Sequence, residues 1–364
     1  MTSRFLPHGP FFRDLNLGLD GYFASVRRPR TATPAMWLKT AIILGWLAAS
    51  WAVLVFAAST WWQAGLAAVS LGFAMAGIGF NVQHDGGHGA TSPNRGWNRA
   101  MALTLDVLGG SSYLWHWKHN IQHHSNPNVA GLDVDIDIEP FVRLSPEQAW
   151  RPWHRFQPLY TWVLYGLLAV KWHFVDDFKD VVTGRIGTRS FPRPKGWDLV
   201  GFVVGKAFFF TWAFVVPMAF HPWWQVLLGY LVASAVLSLS LALTFQAAHC
   251  VEGAAFPKTD ERREWAVHQA ITAVDFAPRH PLWTWYLGGL NYQLEHHLFP
   301  RVCHVHYAGL APIVQAVCEQ HGVPYRVTPT FGAALASHAR FLARLGRRPV
   351  DIPVATVVPA PVRP

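Results

Sequence analysis

The chain has 364 residues, of which 51% are apolar and only 14% charged, against roughly a quarter charged in an ordinary soluble domain, so a well-solvated globule is excluded and a membrane protein expected. The net charge of +9 sits in clusters (Arg27-Arg28-Pro29-Arg30, Arg185 to Lys195, Arg262-Arg263, Arg344 to Arg348) with no nucleic-acid motif beside them, so it is read as facing anionic lipid head groups or an acidic redox partner and not nucleic acid. Cys250, Cys303 and Cys318 show neither paired spacing nor a CxxC, which excludes a disulfide framework and fits reduced thiols on a cytoplasmic side.

Residues 1–35 are polar, basic and punctuated by proline, a cytoplasmic segment without the pattern of a cleaved signal peptide. Residues 36–58 form the first apolar run long enough to cross a bilayer; its one charge, Lys39, lies near the end and is expected to snorkel to water. A second run, 64–82, carries Gly and Ala suited to close helix contact, and His84 and His88 follow where it should leave the lipid. The stretch to Trp197 is hydrophilic overall, with two shorter apolar patches, 101–114 and 159–170; the second is too short to span and reads as an interfacial or re-entrant helix. Residues 199–220, interrupted only by Lys206, and 226–245 make the third and fourth spans. A helix is expected over 307–320, and 326–364 is read as a C-terminal tail, disordered from Arg347. The expected fold is an all-α integral membrane protein of four transmembrane helices with interfacial helices and a cytoplasmic histidine-rich helical cap, its single domain covering 36–325. Four spans place every histidine cluster on one side. The links around Ser59 and Pro222 hold no Lys or Arg, whereas the N-terminus and 89–196 hold many, so that side is cytoplasmic.

The clusters are His84-Asp85-Gly86-Gly87-His88, His119-Asn120-Ile121-Gln122-His123-His124 and Gln293-Leu294-Glu295-His296-His297. On a helix His119 and His123 share a face at i and i+4, while His124 lies about 100° round and can reach a second centre. His249 joins the set because it falls one turn beyond the fourth apolar run, at the depth where the second ends. The eight candidate ligands are therefore His84, His88, His119, His123, His124, His249, His296 and His297. Two irons that keep a position open for oxygen need roughly eight to ten protein ligands, and imidazole suits iron. A structural zinc closes with four and would leave half the set unexplained. The Glu-x-x-His pairs of soluble di-iron carboxylate sites are absent. Gln293 is a weak ligand or a hydrogen-bonding neighbour of the metal; Asp85, Asn120, Asn291 and Glu295 are candidates to fix imidazole tautomers around it. His116 is left out of the ligand set, and His268, His304 and His306 rank below it. The acidic run from Asp133 to Glu139 starts like a calcium loop but has Ile138 where that loop needs Gly, so it reads as a polar loop that orients ligand histidines or faces a basic partner.

The order HDGGH, HNIQHH and QLEHH around paired spans resembles the membrane fatty-acid desaturase family over most of residues 10–325. Gln293 in the setting from Gly289 to Pro300 resembles the front-end desaturases, which insert a double bond between an existing one and the carboxyl end. The resemblance implies two non-haem iron ions, O2 as co-substrate, and a fatty acyl substrate, as acyl-lipid or acyl-CoA, held in a tunnel. Many front-end relatives carry a fused cytochrome b5 domain with a His-Pro-Gly-Gly motif, which this sequence lacks. A separate electron donor, ferredoxin or cytochrome b5 with its reductase, is therefore expected, docked on the basic face. A hydroxylase, ketolase or decarboxylase on the same scaffold stays open, since ligands alone do not decide which atom is attacked. A haem carrier ranks last, because 36–58, 64–82 and 226–245 contain no histidine.

Overall fold

The computed structural model describes residues 5–349. Four helices in it are long and apolar enough to cross a membrane: Pro34–Ala57, Trp61–His88, Trp197–Met218 and Trp223–His249. The remaining helices are short, and the only strands among the described residues are two two-residue pairs. The chain is an all-α membrane protein.

Local chemistry starts and stops these helices. Thr33 caps the first span, its hydroxyl accepting from Met36 N at 3.2 Å, with Pro34 in the first turn. Thr60 and Gln63 form a reciprocal capping box at the second. The two short links meet at the end of the bundle away from the three histidine clusters, where His221 Nε2 donates to Val55 O at 2.7 Å. The second span is the most deeply buried of the four. It packs on the fourth at Gly72, where a Cβ would stand 2.5 Å from Ala233 O, so only glycine lets the two backbones approach this closely. Large apolar side chains on the outer faces, such as Leu38, Leu66, Val204 and Leu228, stay exposed for lipid.

Both span lysines are buried, each with a partner. Lys206 Nζ lies 2.9 Å from Asp177 Oδ2 and donates to Gly109 O at 2.6 Å, and Lys118, next to the second histidine cluster, reaches Asp180 at 2.8 Å. This network ties the 116–123 segment to the third span. Lys39 does not snorkel to water: it is 5% exposed and bonds His304 Nε2 at 2.9 Å, because His304 offers an acceptor closer than the solvent.

The apolar patch at 159–170 is broken at Gly166 and Leu167 into helices Gln157–Tyr165 and Leu168–Lys171 lying against the fourth span, and neither crosses. Helix Tyr307–Gln320 forms as expected. Two amphipathic helices depart from the sequence reading. Pro10–Val26, inside the segment read as polar, buries Phe11, Leu15 and Leu19 against Leu310 and Val314. Phe331–Gly346, inside the segment read as tail, buries Ala334, His338, Phe341 and Leu342, with Thr330 as its N-cap. Each lacks the long apolar run of a span, but its apolar residues recur every three or four positions, and that stripe decides burial. The tail beyond Pro349, expected to be disordered, lies outside the described residues.

Candidate metal centre

The histidine ends of the second and fourth spans form one wall of the site. The second span widens into a π-turn over Ile78–Gln83 just before His84, which rotates the last turn, and Asn81 holds the turn by donating to Gly77 O and Tyr286 O, each at 2.8 Å. Helix then continues through His88, so both first-cluster histidines sit one turn apart at the helix end. Gly87 between them leaves room for an indole, since a Cβ there would meet the Trp115 ring at 2.2 Å. That ring in turn stacks on His119, centroids 4.5 Å apart.

The second cluster is also a π-helix, His116–His123, with His124 N bonded five residues back to His119 O at 2.9 Å. The wider turn brings His124 Nε2 to 3.2 Å from His119 Nε2, and His124 also reaches the group of His296 and His297, the second centre its place in the sequence suggested. Asn120 ties this segment to the first cluster by donating to Gly87 O at 2.9 Å. The third cluster lies on helix Gln293–Leu298, anchored where Asp275 Oδ1 accepts from Leu294 N at 3.0 Å.

All eight candidate ligands converge. Nitrogens of His84, His88, His119 and His296 lie within 4.8 Å of one another, and so do those of His123, His249 and His297. His124 stands between the two groups, its Nε2 3.0 Å from His296 Nε2 and its ring stacked on His297 at 4.5 Å. The result is two adjoining lobes with a shared imidazole.

Outer partners fix which nitrogens face inward. His249 Nδ1 donates to Thr272 O at 3.1 Å. His297 Nδ1 donates to Gln269 Oε1 at 2.8 Å, an orientation set by the Gln269 amide donating to His124 O. His123 Nδ1 meets both Asp133 oxygens at 3.1 and 3.2 Å, and His119 Nδ1 lies 3.7 Å from Asp135. With Nδ1 protonated, each neutral ring turns an Nε2 lone pair into the cluster. Burial, reinforced by neighbouring imidazoles, holds His124, His296 and His297 well below the ordinary histidine range. Burial likewise lowers His119, partly offset by Asp135. At His123 burial, which lowers the pKa, is outweighed by the charge and hydrogen bonds of Asp133, so it rises.

This donor set fits metal. His249 and His297 Nε2 stand 3.1 Å apart, lone pair to lone pair, a contact that repels unless a cation lies beside it. The Nε2 atoms of His84, His88 and His123 are buried with no hydrogen-bond partner. Nitrogens about 2.0–2.1 Å from a shared ion stand roughly 3 Å from one another, the spacing seen here.

Gln293 Nε2 lies 2.8 Å from His249 Nε2, within the second lobe. Asp85 points away from the eight imidazoles to His304 Nδ1 at 2.8 Å, and Asn291 staples the preceding loop through Ala277 O and Thr284. Glu295 faces Tyr325 and Asp275; burial and the Asp275 charge push its carboxyl well up. Among residues passed over, His116 bonds Asn120, His268 meets Pro127 O and His306 meets Pro29 O. Gln269, Thr272 and Tyr307, whose hydroxyl lies 3.4 Å from His296 Nδ1, carry no motif, and only their place beside the imidazoles identifies them.

The family model described as Fatty acid desaturase matches residues 59–329, a stretch that holds all eight histidines. The chain belongs to the fatty acid desaturase family. Known relatives of this desaturase are similar along nearly its whole length. The sn-1 linoleoyl-lipid 6-desaturase of Arthrospira platensis is 36% identical over 93% of each chain. That of Synechocystis is 37% identical over 93% of this chain and 96% of its own. The acyl-lipid (8-3)-desaturase of Physcomitrium patens is 37% identical over 92% of this chain and 72% of its own.

Proposed function

We propose that this desaturase inserts a double bond on the carboxyl side of an existing one in an unsaturated acyl chain carried on a membrane lipid. In this reading two non-haem irons occupy the two lobes, held by His84, His88, His119 and His296 on one side and His123, His249 and His297 on the other, with His124 between. The observation that carries the reading is the set of inward-facing Nε2 lone pairs, three of them without partners and others nose to nose. Bound iron with O2 supplies the oxidising strength that no side chain has for unactivated methylenes.

The chain's own residues do the rest. Imidazoles that burial holds neutral, as at His124, His296 and His297, give ligands without protons to displace, and Asp133, Gln269 and the Thr272 carbonyl hold their neighbours' rings in place. Burial of the cluster excludes bulk water. Gln293 sits beside His249 and either donates to the ring or offers its oxygen to the second lobe. Taking two hydrogens from the substrate while reducing O2 to two waters needs two more electrons and two protons. We assign these to a separate carrier, a ferredoxin or cytochrome b5 with its reductase, on the cytoplasmic face where the arginine clusters lie. The sequence similarity to lipid 6-desaturases and an acyl-lipid (8-3)-desaturase supports a lipid-borne substrate.

Expression in a host fed defined unsaturated fatty acids, with double bonds mapped in extracted lipids, tests this directly. A new double bond on the carboxyl side is expected; an oxygen retained in the product would instead reveal a hydroxylase. The purified protein should hold about two irons per chain, and four-coordinate zinc in their place would overturn the di-iron assignment.

A further inference from the structure

A cavity of about 420 Å³ opens beside the first turns of the first span, apart from the histidine cluster, and nothing above assigns it a role. Two cations, Lys39 and Arg279, line it, and no carboxylate does. Arg279 is exposed and has no carboxylate oxygen within 4.0 Å among the described residues. Lys39 is held from behind. Asp85 accepts from His304 Nδ1 at 2.8 Å, which leaves His304 Nε2 as the acceptor for the Lys39 ammonium at 2.9 Å, and two ammonium protons remain uncommitted. The ammonium also lies 5.2 Å from the Trp285 ring.

The rim decides where an occupant comes from. Trp285 (40% exposed) lines it, and Leu38 (65%) and Leu282 (72%) adjoin the lining residues Lys39 and Pro281 in sequence; such exposed side chains are stable in contact with lipid. The inner walls decide how near it comes to the cluster. Tyr292 immediately precedes Gln293, and the His304 contact ends on Asp85, next to His84.

We infer that this cavity binds the phosphodiester of the glycerolipid that carries the acyl substrate, with Arg279 and Lys39 on the phosphate oxygens and Trp285 against the glycerol. The inference rests on the front-end, lipid-borne reading above. A double bond placed toward the carboxyl end requires the ester to be held only a few carbons from the metals, and this is a cationic cavity in whose lining Tyr292 adjoins the third cluster and His304 bonds Asp85 of the first. Two cations with exposed apolar neighbours and no carboxylate in the lining suit an anion that arrives within the bilayer, where charge-assisted bonds are strong.

The test uses the purified full-length protein and equilibrium binding of dioctanoyl phosphatidylglycerol against uncharged dioctanoylglycerol. Arg279→Gln, on an exposed residue, is expected to weaken phosphatidylglycerol binding about five- to tenfold while shifting dioctanoylglycerol less than about twofold, as loss of one charge-assisted bond implies. Lys39→Met should weaken it at least as much and Lys39→Arg should restore part of it; iron content reports whether each variant is folded. Equal weakening of both ligands, or none, overturns the inference. Competition by inorganic phosphate or acyl-CoA as strong as by the lipid would assign the cavity to a soluble phosphate and overturn it too. If mapped double bonds fall on the methyl side while phosphatidylglycerol binding still depends on Arg279, the front-end reading fails and the cavity assignment stands.

Discussion

Replacing Asp133 by Asn tests whether the orientation of His123 matters to metal. The Asp133 side chain is fully buried and accepts three donors: Asn128 N at 2.8 Å on one oxygen, Asp135 N at 3.0 Å on the other, and His123 Nδ1 across both. Asparagine keeps the shape but has one acceptor, so one backbone N–H must face an NH2, at a cost of about 1–3 kcal/mol. It also removes the carboxylate that makes His123 a more basic donor, and loss of such an outer partner weakens metal binding by about 10–100-fold. The assay is iron per chain after timed exposure to a ferrous chelator, alongside product formed in the host. About one iron should be lost from Asp133→Asn under conditions where the wild type keeps both, with turnover falling by at least about tenfold. Iron retention and turnover within twofold of wild type, in a protein whose thermal stability has nevertheless dropped, would show that Asp133 props the loop alone and that His123 does not depend on it.

Three further outcomes are expected. Gly72→Ala drives a methyl group into the Ala233 carbonyl, so the melting temperature in detergent should fall by several degrees, as overpacking costs about 1–3 kcal/mol; an unchanged melting curve would mean that the second and fourth spans slide freely. Gln293→His, which keeps a nitrogen near His249, should retain iron and at least about a tenth of the turnover, whereas Gln293→Leu should lose more than about tenfold, read by iron content and product. His338 is buried between Tyr165 and the Cys250 carbonyl, and burial holds its pKa down at about 4. Released, it titrates near 6.5, so the undocked helix binds the extra proton between these values. Its docking contribution, roughly 3 kcal/mol, is complete above about pH 6.5 and is lost as pH falls toward 4. Hydrogen exchange in helix Phe331–Gly346, corrected for intrinsic rates, should rise between pH 7 and 4.5 in wild type and not in His338→Phe.

The spans and the three histidine clusters are legible in the sequence for one reason: a bilayer tolerates little polarity, so imidazoles at the ends of apolar runs stand out. His249 is readable the same way, from its depth alone. What stays hidden depends on tertiary partners. The π-turn that brings His124 Nε2 beside His119 Nε2 leaves the composition unchanged, although His119 and His123 stack on one face as their i and i+4 spacing leads one to expect. Lys39 looks like an ordinary snorkelling lysine until His304, from the far end of the sequence, is seen to bond it. Helices Pro10–Val26 and Phe331–Gly346 look soluble because half of each is, and their apolar stripes matter only once a neighbour covers them. Gln269 is invisible for the opposite reason: its single amide joins His297 to the His124 carbonyl, a role that follows from position and not from residue type.

The middle imidazole of the cluster touches a partner made 172 residues later. During synthesis the first two clusters therefore emerge with five of the eight imidazoles, and neither lobe is complete until helix Gln293–Leu298 has emerged and docked. Metallation is then a late step in biogenesis, separate from insertion. A cell short of iron should accumulate full-length, correctly inserted chains that become active on repletion without new translation.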